Sequence, residues 1–386
     1  MTDIPPQIFL DNASTTRLRK EALDAMMPYL TESYGNPSSS HKMAKGPREA
    51  VKEARKKIAD CLNASSSEIF FTSGGTESDN WALKSGAVSN PGKGRHVIVS
   101  AIEHHAIIES AKWMERNGFD VTFLPVDEFG LVDLKTLESA IREDTALVSV
   151  MTANNEIGTI EPIKEIGALC KEKGILFHTD AVQAFGHIHL DVKEMNIDML
   201  SASGHKFGGP KGVGFLYVRK GIKLEPFMHG GAQENGERAG TTNVPGIVGM
   251  GVAAELSVAE IDEDTEYIQK LRDHCIQRIS SEIEGAKLNG HPTQRLPGNV
   301  NFSFSGIGAM ACGIPMLMNG NGMCVSTGSA CAASSTEPSH VIMAIGVPKE
   351  MGNSTIRVTI SRENTVEEID RAVDVIKESV ARLRAL

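Results

Sequence analysis

From residue 66 onward, short apolar runs alternate with longer stretches whose apolar positions recur at helical spacing. The runs at 68–72, 96–101, 120–124, 146–151, 175–179, 198–202 and 213–218 predict β-strands. The stretches at 106–117, 133–143 and 163–173 predict amphipathic helices between them. Alternation of this kind predicts an α/β architecture, with a mostly parallel sheet covered on both faces. Ligands in such folds bind at the carboxyl ends of the strands. A helical pattern then runs from Ile247 to Ile283. Its acidic centre, Glu260-Ile-Asp-Glu-Asp-Thr-Glu266, predicts one exposed helix bridging to a second unit. That unit reads as strands at 299–305, 323–326 and 355–360, a short apolar helix after the first of them, and a terminal helix. The terminal helix opens with Thr365-Val-Glu-Glu368, a capping-box spacing.

A chain of 386 residues, 41% of them hydrophobic, can bury a large core and predicts more than one domain. The net charge of −10 argues against non-specific nucleic-acid binding, which needs a basic surface. No apolar run reaches the length of a membrane span. Met1-Thr-Asp-Ile-Pro-Pro-Gln7 lacks the charged-then-apolar order of a signal peptide, so a cytoplasmic location with reduced thiols is expected. The six cysteines, at 61, 170, 275, 312, 324 and 331, form no Cys-x-x-Cys pair. That spacing speaks against a disulfide framework or a zinc site, and no metal is expected.

The chemistry gathers after the strands. The run at 198–202 ends in Ser203-Gly-His205-Lys206, followed after Phe207 by two glycines. A lysine delivered to a strand end can form a Schiff base, and glycines let the backbone approach a bulky ring. The run at 175–179 ends in Asp180, which can pair with a protonated pyridine nitrogen. Lysine and aspartate at two such strand ends predict a pyridoxal phosphate site. Gln183, one helical turn after Asp180, can face the same ring. Ser73-Gly-Gly75-Thr76-Glu-Ser78 follows the first strand and opens a helix, an arrangement that suits phosphate. Ser203 and His205 add donors to that phosphate if the site is shared. His104, after the strand at 96–101, could lie on the ring, act as an acid or base, or be an ordinary surface histidine. Asn155 could donate to a phenolate or carboxylate, or could simply make a turn. Arg357, inside an apolar strand, needs an anion, either a substrate carboxylate or a structural partner. Asn36 sits in a polar stretch that alone suggests only a loop. Cys331 lies among small residues in Ser326-Thr-Gly-Ser-Ala-Cys331, a setting that suits a nucleophile or an inert surface cysteine. Cys324 falls in an apolar run, where burial is expected to keep its thiol protonated. Arg238-Ala-Gly-Thr241 has no evident role within its own sheet.

These segments, with Phe9-Leu-Asp-Asn-Ala-Ser-Thr15, Tyr34-Gly-Asn-Pro-Ser38, Thr72-Ser-Gly-Gly-Thr-Glu-Ser-Asp-Asn80 and Asn154-Asn-Glu-Ile-Gly158, give the chain a family resemblance. It resembles the NifS/IscS-type cysteine desulfurases, in the class V branch of fold-type I pyridoxal phosphate enzymes, over essentially its whole length. The resemblance implies a large cofactor-binding domain at 16–260, and a smaller α+β domain made of 1–15 and 261–386 that carries the cysteine loop. It implies that Lys206 holds pyridoxal phosphate, that Asp180 and Gln183 meet the ring nitrogen and the phenolate, and that His104 stacks on the ring. Gly75, Thr76, Ser203 and His205 would bind the phosphate, joined by Thr241 from a second subunit of a homodimer. Asn36, Asn155 and Arg357 would hold the carboxylate of L-cysteine. Cys331 would take the sulfur as a persulfide for an acceptor such as an iron–sulfur scaffold, leaving alanine. A selenocysteine lyase or another class V aminotransferase is the alternative; an aminotransferase has no use for Cys331. One segment, Gly306-Ile-Gly-Ala-Met-Ala-Cys312-Gly-Ile-Pro315, departs from the family pattern. Its proline and extra glycines are expected to loosen the helix there.

Overall fold

The structure, a computed structural model, describes residues 7–89, 94–307, 313–327 and 338–385. Its strands are β1 (Ile8–Phe9), β2 (Ile69–Thr72), β3 (His96–Ser100), β4 (Asp120–Leu124), β5 (Thr145–Ser149), β6 (Leu176–Asp180), β7 (Met199–Ser203), β8 (Gly214–Val218), β9 (Ala286–Leu288), β10 (Asn299–Phe304), β11 (Met323–Cys324) and β12 (Thr355–Thr359). The helices used below are α1 (Lys20–Thr31), α2 (Lys45–Cys61), α3 (Gly75–Val88), α4 (His105–Arg116), α5 (Leu134–Ala140), α6 (Ile163–Lys173), α7 (Val244–Ala259), α8 (Ile261–Glu282), α9 (Gly313–Gly320), α10 (His340–Ala344), α11 (Lys349–Gly352) and α12 (Val366–Arg384).

Among the described residues the main sheet has seven strands in the order β2-β8-β7-β6-β5-β3-β4. Only β8 runs against its neighbours; β7, β6, β5, β3 and β4 are mutually parallel. Strands β3, β5, β7 and β8 are buried at every position, because helices cover both faces. That is why they read as continuous apolar runs instead of alternating ones. A second sheet, β12-β10-β9, is antiparallel. The stripes Ile268, Leu271, Cys275 and Ile279 of α8 and Ile369, Val373, Ile376 and Val380 of α12 cover it. Each such side chain contributes roughly 1.5–3 kcal/mol by leaving water. The terminal helix starts at the expected place: Thr365 and Glu368 close a capping box.

The expected single bridging helix is two helices. They meet at Glu260 with a 70° bend. The apolar periodicity runs through the break, so the cause is tertiary. The glycines of α7 press on α1 and α2: a methyl group on Gly249 would meet Met26 Sδ at 2.5 Å, and one on Gly251 would meet Ala54 Cα at 2.8 Å. Helix α8 instead follows the second sheet. Glu260, at the corner, is held by Arg19 at 2.7 Å and by Arg362. Pro315 does less harm than the sequence suggested, because it falls in the first turn of α9, where its missing N–H is not needed. The preceding residues 308–312 lie outside the described residues. Among the described residues no single helix is long and apolar enough to cross a membrane.

The chain start joins the second sheet to the main one. β1 pairs with β11, Asp11 bridges to Thr359, and Asn12 Nδ2 donates to the Thr359 carbonyl at 2.7 Å. The next two carbonyls, of Ala13 and Ser14, turn onto Lys206.

Candidate active site

A cavity of about 260 Å³ opens at the carboxyl ends of β3, β5, β6 and β7. It brings together Gly75, Thr76, His104, Asn155, Asp180, Gln183, Ser203, His205, Lys206 and Arg357. Beyond Gly75 and Ser203 it continues into a pocket lined by Ser73, Gly74, Lys211 and Gly212. A larger cavity, about 540 Å³, backs onto Lys206 from the other side, but neither Asp180, His104 nor Arg357 lines it. Lys206, Asp180, His104 and Arg357 therefore meet in the smaller one. Asn36 and Thr241 do not line it. Asn36 is exposed and caps the Ser38 amide with its own Oδ1, and Thr241 is exposed on a separate loop. Cys331 lies outside the described residues.

Each wall follows from local chain geometry. Gly74 precedes α3 with φ of 152°, a conformation that side chains oppose. It turns β2 into α3 so that the first-turn amides of Gly75 and Thr76 border the cavity. First-turn amides have no partner within their own helix, and the helix dipole favours an anion beside them. A methyl group on Gly75 would meet Val182 Cγ2 at 2.5 Å, so the close approach needs glycine. Ser203 and His205 border the same end. His205 Nδ1 lies 3.1 Å from Thr15 Oγ1. Lys206 Nζ donates to the carbonyls of Ala13 at 2.5 Å and Ser14 at 2.9 Å. Gln183 Nε2 also donates to Ala13, at 2.9 Å. His104 caps α4: its Nδ1 accepts the Ala106 amide at 3.1 Å, so Nε2 carries the ring proton.

At the other end, the guanidinium of Arg357 is 2% exposed. Its Nη1 donates to the Asn155 carbonyl at 2.8 Å, and Nη2 to Asp11 at 3.0 Å and Ser14 Oγ at 2.9 Å. Nε has no partner. Both readings of this arginine are thus partly realised: it has a structural carboxylate, and it also lines the cavity. The cavity offers a helix start that suits an anion, a lysine, a buried carboxylate and the His104 imidazole. That set of donors fits pyridoxal phosphate, with the Arg357 end left for a carboxylate.

The charges sort themselves by burial. Burial lifts Asp180 to about 6, against the pull of the Val182 amide and of Lys206. Burial pushes Asp79 and Glu103 much further, well above the carboxylate range, and Asp180 adds to both. Of these three buried acids, Asp180 is the one that stays charged near neutrality. Beneath it His178 is held neutral, at about 3, by burial, between Ser149 and Ser201 at 2.8 and 3.0 Å. His104 and His205 are both brought to about 4, first by burial and then by Lys206. The cavity's histidines are bases at neutral pH.

Several site features carried no legible signal in the sequence. Asp79, Glu103, His105 and His340 line the cavity too. Asp79 falls in the Thr72–Asn80 segment and Glu103 and His105 flank His104, but only spatial proximity reveals their part. Arg238 does have a role in its own chain: it forks onto Glu77, in the first turn of α3, at 2.7 and 2.9 Å. The thiol of Cys324 is only half-buried, 3.3 Å from Gln7 Oε1, although burial and Asp11 still raise its pKa.

The family model for class-V aminotransferases matches residues 8–372. The chain is 54% identical to a cysteine desulfurase IscS of Methanosarcina thermophila, over 98% of this chain and 93% of that one. A solved NifS-like protein superposes with a TM-score of 0.91 at 39% identity, covering 97% of this chain and all of the other. A structure described as SspA in complex with cysteine superposes with a TM-score of 0.82 at 38% identity, covering 93% of this chain and 100% of its own.

Proposed function

Because this chain belongs to the class-V aminotransferase family and is an L-cysteine desulfurase, we propose that the sulfur leaves L-cysteine as a persulfide on Cys331. Members of this family depend on pyridoxal phosphate. When bound, that group supplies an aldehyde for the substrate amine and a protonated ring that stores the electrons released as substrate bonds break. The observation that carries the reading is one cavity lined by Lys206, Asp180 and Arg357 together.

In this reading, the amides of Gly75 and Thr76, with Ser203 and His205, bind the phosphate. Thr241 of a second copy completes that shell. Asp180 keeps its charge and holds a proton on the ring nitrogen. Gln183 faces the phenolate, and His104 lies against the ring with its Nε2–H. Arg357 and Asn155 receive the substrate carboxylate, and Asn36 closes on it from the loop at 34–41. Lys206 Nζ moves the proton of the substrate's α carbon. The Cys331 thiolate attacks the substrate sulfur: an S–S bond forms, the C–S bond breaks, and the carbon takes up a proton to become alanine. A protein acceptor, such as an iron–sulfur scaffold, then collects the sulfur.

Replacing Cys331 with alanine tests this. The variant is expected to retain its cofactor and its absorbance response to L-cysteine, while sulfide release under dithiothreitol falls by orders of magnitude. Cys324→Ser is expected to keep most activity. Mass spectrometry of cysteine-treated protein should find one added sulfur on the Cys331 peptide. Full turnover by Cys331→Ala, or sulfur on Cys324, would refute the assignment.

A further inference from the structure

Four histidines line the cavity, and they differ in what their ring nitrogens are free to do. His104 spends Nδ1 on the Ala106 amide, and His205 places Nδ1 on Thr15. His340, the first residue of α10, turns Nε2 to the backbone carbonyl of Glu103 at 2.9 Å. A carbonyl can only accept, so Nε2 carries the ring proton and Nδ1 keeps a lone pair. Nδ1 has no partner among the described residues. The His105 ring packs on it from α4, with centroids 4.9 Å apart. Here, then, is a cavity histidine with its tautomer set by the backbone and its basic nitrogen unspent.

Its position suits the sulfur. His340, His105 and Arg357 line the cavity but not the adjoining phosphate pocket. A substrate with its carboxylate on Arg357 and its amine toward Lys206 has its CH2–SH arm left for the remaining wall, and the histidines supply that wall. We propose that His340 is a catalytic base of the sulfur-transfer step, taking the proton of the attacking thiol on Nδ1 and returning it to the carbon that the sulfur leaves.

The inference rests on the desulfurase reading with a protein thiol as nucleophile. The step balances without an outside reagent. The thiol S–H bond breaks as an N–H bond forms on His340. The thiolate makes an S–S bond to the substrate sulfur, and the C–S bond breaks with its electron pair left on carbon. The imidazolium proton then forms the new C–H bond of the alanine methyl group. Carbon is reduced and sulfur is oxidised, within one encounter. The surroundings keep the ring in its basic form. Burial lowers its pKa, the Glu103 carbonyl raises it, and Lys112 on α4 lowers it. His105 is itself held neutral by burial, and burial keeps the facing Glu156 carboxyl raised, against the hydroxyl of Ser339.

His340→Gln is the informative variant, since its amide can still donate to Glu103 but offers no base. Cysteine-treated holoenzyme is quenched at intervals, alkylated and weighed to follow sulfur arriving on the protein between pH 5 and 9. The expected result is a rate about 10²-fold lower, loss of the acid-side fall in its pH profile, and unchanged cofactor absorbance and response to L-cysteine. His340→Ala should regain rate with added imidazole, whereas His340→Gln should not. A pH profile in His340→Gln parallel to that of the parent, whatever the rate, would overturn the proposal. If sulfur arrived on a cysteine other than Cys331 in both proteins, the nucleophile assignment would fail, and His340 would still be judged by the rate and its pH profile.

Discussion

Four consecutive carbonyls, from Asn155 to Gly158, are each held by a group from beyond the main sheet. Arg357 Nη1 holds that of Asn155 at 2.8 Å. Asn299 and Asn301 share that of Glu156, at 3.2 and 3.0 Å. Arg295 Nη2 holds that of Ile157 at 2.8 Å, and the Leu296 amide that of Gly158 at 2.8 Å. The loop that presents Asn155 to the cavity is therefore positioned by β10, β12 and the turn before β10. Asn301 is fully buried, and its Oδ1 also accepts from Asn289 at 2.7 Å. Asn301→Ala would leave two buried groups short of a partner, a loss on the order of 1–3 kcal/mol. Because Asn299 still holds the loop, the expected effect is a rise in KM for L-cysteine of about tenfold, with kcat within a factor of about three. Steady-state kinetics decides: a fall in kcat at constant KM would contradict a positioning role. None of this was legible beforehand. An asparagine in a strand reads as a solvent-facing position, and only the burial of both faces of β10 reverses that reading.

Among the elements, α7 is where local pattern and packing disagree most. Its sequence is apolar nearly all round, and it holds three of its buried glycines at 246, 249 and 251. Propensity alone scores each glycine as about 1 kcal/mol worse than alanine. Packing separates them. A methyl group at 249 meets Sδ and Cγ of the flexible Met26 side chain, which can shift, whereas one at 251 meets the backbone of Ala54 in α2, which cannot. Gly249→Ala is accordingly expected to change stability by less than about 1 kcal/mol, and Gly251→Ala to destabilise by about 1–3 kcal/mol. Equal shifts in urea midpoint for the two variants would count against this account. The strands of the main sheet were legible to within a residue or two, because a buried parallel strand can be little else than a short apolar run. The break at Glu260 was not, since no proline or glycine marks it.

For the whole molecule, two surface features bear on the proposed second copy. Thr241 is exposed and outside its own cavity, yet its loop is pinned by Arg238 on Glu77 and by Arg55 on Glu234, at 2.7 Å on each arm of the second fork. A loop held that firmly presents Thr241 outward in a set position. On α1, Leu23, Met27 and Leu30 are exposed at helical spacing, 42%, 46% and 54%, an apolar face of the kind that a second copy covers. Light scattering is expected to give twice the 41.5 kDa of one chain, and Thr241→Ala to weaken cofactor retention without dissociating the pair. A monomer that binds the cofactor tightly would argue against the shared site.

Some of this protein was determined by the order of its residues. Wherever a function needs a particular residue type beside a strand end, the covalent chain itself sets the neighbourhood: Lys206 four residues after Ala202, Asp180 closing β6, Gly74 and Gly75 at the start of α3. Strand and helix periodicity reach only as far as the next turn, and these features lie within that reach. Other features depended on contacts between residues far apart in sequence. Asp11 reaches Arg357 across 346 positions, and His340 reaches Glu103 across 237. Which of three buried acids keeps its charge, which imidazole nitrogen is left bare, and where one helical pattern must bend are set by burial and by partners brought in from elsewhere. Those are properties of a packed interior, and no stretch of the chain holds them alone.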